Sequence, residues 1–211
     1  MKKSDHLQGF KDKLYKTPAA WRDYNLVIVA LGDSVTQGLT VNPRLLGEEA
    51  YHSVVRRELA RRFPERSFSS INAGVGGGST PDALARLQRD VIDHRPDLVS
   101  ICFGLNDCGQ EEAGLDSFER NLAEIVRRIR DAGADVILLT PNMMVTHPNP
   151  KVDPNYIQCV DDFIRRQTGG IFDRYIDKIR AVAKTTATPL ADVYAEWKRR
   201  NENGEDMTLH L

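Results

Sequence analysis

Cysteine is scarce in this chain: Cys102, Cys108 and Cys159 are its three thiols among 211 residues. An odd set cannot pair completely within one chain, and no Cys-x-x-Cys spacing occurs. This excludes a disulfide-framed scaffold and the common zinc and dithiol sites, and favours a reducing compartment. Long apolar runs are missing as well. Nothing approaches the roughly 20 residues of a membrane span, and the polar opening "MKKSDHLQGFKDKLYK" lacks the apolar stretch of a signal peptide. These features predict a cytoplasmic protein. Charge of one sign is absent too: 29 basic against 30 acidic residues give a net charge of −1, so there is no global field to draw in nucleic acid or a membrane surface. The partner expected is a small molecule. The chain also has no GxxxxGK[ST] loop, no GxGxxG after its first apolar run, and no GxSxG, SxxK or HExxH.

What is present is an alternation. Continuous apolar runs read as buried strands at 26–31, 97–103 and 135–140, with a weaker one at 68–72 and a short fifth at 189–193. Between them, helical spacing appears at 48–63, at 81–94, at 116–133 and at about 170–186. Strands alternating with helices imply a parallel sheet wound by right-handed crossovers. With 41% hydrophobic residues, one domain spanning 1–211 is large enough for a single core. Residues 1–24 read as a leader packing on that domain, with Phe10, Trp21 and Tyr24 as its aromatic contacts. Residues 141–169 read as a loop-rich insertion near the site, because Pro141, Pro148, Pro150 and Pro154 forbid a continuous helix. Such a loop after a strand's C-terminal end is either a substrate wall, with Met143, Met144 and Val145 as its apolar face, or a plain connector.

Three polar, glycine-rich clusters follow the first three strands: "GDSVTQG" (32–38), "NAGVGGG" (72–78) and "GLNDCG" (104–109). Taken singly, each has a bland explanation: Asp33 or Ser34 caps a helix, and Gly76 to Gly78 or Asn106 and Asp107 make turns. Taken together they land on one edge of a parallel sheet, the edge where ligands bind in such folds. A serine at a strand-to-helix turn presents its hydroxyl to a cleft. Glycines let backbone N–H groups approach a ligand, and asparagine adds side-chain donors. That set suits acyl transfer.

The three blocks, in this order and after these strands, resemble the SGNH (GDSL-type) hydrolase family. The resemblance implies an α/β fold, a flavodoxin-like three-layer α/β/α sandwich on a parallel sheet of about five strands. It also implies esterase chemistry on small acyl esters through an acyl-serine intermediate, without metal or other cofactor. Carried over by position, Ser34 is the nucleophile, and the N–H groups of Ser34 and Gly74 with the Asn106 amide form the oxyanion hole. Asp33 and Asp107 are supporting residues. The family closes on an Asp-x-x-His block, and here "NENGEDMTLHL" supplies Asp206 and His210 with one residue more between them. His210 is then the base and Asp206 its orienting carboxylate. His6, His52 and His94 fit solvated or structural roles, while His147 and a histidine beyond Leu211 stay open as alternative bases. A further alternative is a catalytically impaired protein of the same fold that binds an acylated sugar or a small carboxylate on Gly74 and Asn106.

Overall fold

The computed structural model describes residues 7–17, 20, 24–40, 45–149 and 157–210. Trp21, Pro150 and Pro154 lie outside the described residues. The strands are β1 (Asn25–Gly32), β2 (Ser67–Gly74), β3 (Leu98–Cys102), β4 (Asp135–Leu139) and β5 (Leu190–Ala191). They form one parallel sheet in the order β2-β1-β3-β4-β5. The helices are α1 (Gln8–Tyr15), α2 (Ser34–Gln37), α3 (Tyr51–Arg62), α4 (Thr80–Asp90), α5 (Leu115–Asp131), α6 (Ile157–Thr168), α7 (Ile171–Thr185) and α8 (Val193–Glu202).

Side-chain alternation along β1 assigns the layers. Val29 and Leu31 point into the larger core with Ala83 and Leu87 of α4, Phe118, Leu122 and Ile125 of α5, and Phe172, Ile176 and Ile179 of α7. Leu26 and Ile28 point to the opposite face, against Phe10 and Leu14 of α1 and Leu59 of α3. This is the α/β/α arrangement that the family resemblance implies, built on the parallel sheet that the alternation of strands and helices predicts. Both faces of β3 are covered, so all five of its residues are buried. β2 is an edge strand with mostly half-exposed side chains, which is why "FSSIN" carries only a weak apolar signal.

The helix ends follow from local chemistry. Ser79 and Asp82 close a capping box at the start of α4: the Ser79 N–H donates to Asp82 Oδ2 at 2.9 Å, and Pro81 sits in the first turn. α5 places Leu115, Phe118, Leu122, Ile125, Val126 and Ile129 on its buried face, each burial contributing about 1.5–3 kcal/mol.

The segment 141–169 departs from the loop-rich expectation. Residues 157–168 form α6, where Val160, Phe163 and Ile164 at helical spacing pack with Val145. Met143 and Met144 are buried in the main core. They are packing residues, not an exposed wall.

The C-terminal end of β2 approaches α2 very closely. A Cβ added to Gly74 would stand 2.2 Å from the Gln37 nitrogen and 2.6 Å from the Thr36 carbonyl carbon, both backbone atoms that cannot swing away. Gly74→Ala is therefore expected to lower the free energy of unfolding by about 1–3 kcal/mol in denaturant titration. An unchanged midpoint would contradict this close packing.

Candidate active site

β1 runs out at Gly32, and Asp33 turns the chain into α2. Asp33 Oδ1 accepts the Val35 N–H at 3.0 Å, so the aspartate is the cap and Ser34 is the first helical residue. The Ser34 side chain is half-buried, and its hydroxyl makes no hydrogen bond among the described residues. Asp33 itself is fully buried, and its Oδ2 has no partner among the described residues. Burial is the main reason its carboxyl is pushed up to about 7, and the nearby Asp107 adds to the effect.

The loop after β2 is held from below and beside by the first block. Gln37 Oε1 accepts the Gly76 N–H at 2.8 Å, the Gln37 carbonyl accepts from Asn72 Nδ2 at 3.2 Å, and the Gly32 carbonyl accepts the Val75 N–H at 3.1 Å. Gly74, expected as an oxyanion donor, is engaged otherwise: its N–H donates to Asn72 Oδ1 at 2.9 Å. The reason is register. Gly74 is still a strand residue, paired with Gly32, and the asparagine two residues back folds over its amide. The Gly78 N–H donates to the Val75 carbonyl at 3.0 Å. Gly77, at φ +73° with open space around its Cβ direction, has an N–H without a hydrogen-bond partner among the described residues. In the sequence Gly77 reads only as part of the Gly76 to Gly78 turn, with the donor role given to Gly74. The signal available was the triple-glycine run itself, where one residue must adopt a left-handed conformation.

The third block completes the group. Asn106 Nδ2 donates to the Gly78 carbonyl at 2.9 Å, which commits one of its two amide hydrogens and leaves the other for a ligand. Asp107 Oδ1 accepts from the Thr80 N–H at 2.9 Å and from the Thr80 hydroxyl at 2.6 Å, tying the third loop to the first residue of α4. Burial raises the Asp107 carboxyl above its ordinary range. Ser34, the glycine loop and Asn106 are thus brought to one sheet edge, with Asp33 and Asp107 ordering the backbone around them.

The C-terminal block differs from expectation. Asp206 does not orient His210: its Oδ2 lies 3.1 Å from His147 Nε2, while His210 Nε2 lies 2.9 Å from Glu205 Oε1. Residues Met207–His210 form a 3-10 turn, in which positions three apart eclipse each other. The residue aligned with His210 is therefore Met207, which is 2% exposed, and Asp206 falls one position off. The turn is well anchored. The Thr208 hydroxyl meets the Thr146 N–H and hydroxyl at 3.1 Å each, and the Thr208 carbonyl accepts from Asn149 Nδ2 at 2.8 Å. His147 also has Thr146 Oγ1 at 3.1 Å from its Nδ1. Both histidine side chains are half exposed.

An α/β sandwich whose serine, glycine loop and asparagine follow three neighbouring strands at one sheet edge defines the class of site. Residues 30–211 match the GDSL-like Lipase/Acylhydrolase family, and the chain belongs to it. It is 30% identical over 180 residues to the uncharacterized lipoprotein YqeF of Bacillus subtilis, covering 81% of this chain and 70% of that one. It is 29% identical over 128 residues to an acetylxylan esterase of Geobacillus stearothermophilus, covering 54% of this chain and 58% of the esterase. The crystal structure of a lipase/acylhydrolase from Enterococcus faecalis superposes with a TM-score of 0.61 at 26% identity, covering 81% of this chain and 77% of that one.

The buried Asp33 gives the site a pH signature. A carboxyl raised from 3.8 to about 7 on folding holds its proton more tightly in the native state. Its contribution to stability is complete below pH 3.8 and is lost as pH rises through about 7. Asp33→Asn keeps an oxygen for the Val35 N–H without the ionisation. The variant's unfolding free energy relative to wild type is expected to rise between pH 4 and 8, by about 4 kcal/mol at most. A constant difference across that range would contradict the burial of an ionisable Asp33.

Proposed function

We propose that this protein is a serine esterase that cleaves small acyl esters, with short-chain or acetyl groups preferred, through an acyl-Ser34 intermediate. The observation that carries this reading is the tying of the segment that carries Ser34 to the two polar segments beside it: Gln37 holds Gly76, Asn106 holds Gly78, and Asp107 holds Thr80. Turn formation alone does not call for such a set.

In the proposed reaction His210 takes the Ser34 proton as Oγ attacks the ester carbonyl carbon. The carbonyl π pair moves onto oxygen, which meets the Ser34 N–H, the Gly77 N–H in place of Gly74, and the free amide hydrogen of Asn106. Each such donor is worth about 2.7–4 kcal/mol in the transition state. Collapse expels the alcohol, which receives the proton from His210. Water, deprotonated by the same imidazole, then releases the acid and restores Ser34. Glu205 takes the place of Asp206 beside the imidazole. The preference for short acyl groups is supported by the burial of Met143, Met144 and Val145 and by the relative named as an acetylxylan esterase. The cytoplasmic assignment is a proposal supported by three free cysteines.

A second reading has its own observation: the His147 to Asp206 pair makes His147 the competing base. A third, an impaired binder of an acylated sugar, is tested by the same assays. With p-nitrophenyl acetate, Ser34→Ala is expected to abolish turnover and labelling by a fluorophosphonate probe. His210→Ala should lower kcat by about 10³-fold or more, and His147→Ala by less than tenfold. Turnover surviving Ser34→Ala rejects the serine mechanism, absence of turnover in wild type favours the binder, and the reverse order of the two histidine variants transfers the base to His147.

A further inference from the structure

Beneath the two loops that carry Ser34 and the glycine run lies a side chain that the esterase reading leaves without a role. Arg86, on the inner face of α4, is 11% exposed. It reaches to carbonyls at the ends of two adjacent strands, the last of β1 and the last but one of β2: Nη2 donates to the Gly32 carbonyl at 3.0 Å, and Nη1 donates to the Ala73 carbonyl at 2.7 Å. Nη1 also pairs with Asp90 Oδ2 at 3.0 Å. Gly32 is the residue before Asp33-Ser34, and Ala73 is the residue before Gly74.

From this geometry we infer that Arg86 is a positioning residue of the proposed esterase: its guanidinium fixes the spacing between the nucleophile turn and the glycine loop. Three features support the assignment, which rests on the reading of Ser34 as nucleophile. Only a planar, forked donor spans two neighbouring strand ends, and arginine keeps its charge at every working pH. The Gly32 carbonyl receives the Val75 N–H at 3.1 Å as well as Arg86, so both of its lone pairs are used and the turn into Ser34 has little freedom to move. Arg86 Nε is buried without a partner among the described residues. A guanidinium kept here despite an uncompensated donor is better explained by the site it holds than by stability alone. Asp90 on the same helix keeps the fork in place, and its own carboxyl is lowered by Arg89 first and then by Arg86.

The placement matters because displacing reacting groups by about 1 Å can cost about 10²-fold in rate. Arg86→Met keeps the aliphatic stem and removes the donors, and Arg86→Lys keeps the charge and loses the fork. Per folded molecule, Arg86→Met is expected to lower kcat on p-nitrophenyl acetate about 10- to 100-fold with KM within about threefold, while Arg86→Lys recovers part of the loss. Guanidinium ion in the assay should accelerate Arg86→Ala in a saturable way at concentrations that leave wild type unchanged. Hydrogen exchange, which needs no turnover, should rise in Arg86→Met at residues 32–38 and 73–78 and stay unchanged in α5 and α7. Exchange that rises throughout the chain, or kcat unchanged per folded molecule, makes Arg86 a brace of the fold only and overturns the assignment. If wild type shows no Ser34-dependent turnover, the esterase reading fails, and unchanged exchange at the two loops would then overturn the positioning role separately.

Discussion

The parallel register that sets Gly32 opposite Gly74 on one side and opposite Cys102 on the other governs the rest of the molecule. Because three neighbouring strands end in line, the residues that follow them emerge at one edge, and sequence positions more than 70 apart become neighbours. Each crossover helix then returns the chain to the opposite edge, so the polar clusters never compete with the apolar layers for the same space. Helices α4, α5 and α7 bury one face of the sheet, and α1 and α3 bury the other. The edge itself carries the serine, the glycines and the asparagine.

What holds this edge in shape is hydrogen bonding that runs from the buried Asp107 to the exposed glycine loop. Gln37, Asn72, Arg86, Asn106 and Asp107 are all spent on backbone groups of neighbouring loops. Individually such bonds contribute about 1 kcal/mol. Their collective effect is geometric, since donors fixed in advance do not have to reorient as charge develops on a substrate. The cost is visible in Asp33 and Asp107, two carboxyls whose ionised forms are disfavoured by burial and which each leave one oxygen without a partner among the described residues.

The sheet and the helices α3, α4, α5 and α7 were legible in the sequence because burial on two faces leaves a plain pattern: unbroken apolar runs at 26–31, 97–103 and 135–140 with helical spacing between them. The three clusters were legible because polar residues straight after such runs have few other reasons to recur. Details inside the clusters were not. Whether Gly74 or Gly77 offers a free N–H depends on where strand pairing stops and on which way Asn72 turns, neither of which is written in a run of glycines. Asp206 read as the partner of His210 because the family resemblance implies a closing Asp-x-x-His block, although one residue more separates the two here. The chain forms a 3-10 turn there, and Glu205 and His147 supply the contacts instead. Helix α6 was hidden by the prolines just before it, which end at Pro154 and leave "IQCVDDFIRRQT" free to pack Val160, Phe163 and Ile164.

The central claim is a covalent acyl group on Ser34, and rapid-quench intact-protein mass spectrometry during turnover of an aryl ester measures it directly. The prediction is a transient adduct of the acyl mass that maps to the peptide containing Ser34 and decays as product acid accumulates. Turnover with no adduct at any quench time, under conditions where acylation is faster than deacylation, or an adduct on another residue, would contradict it.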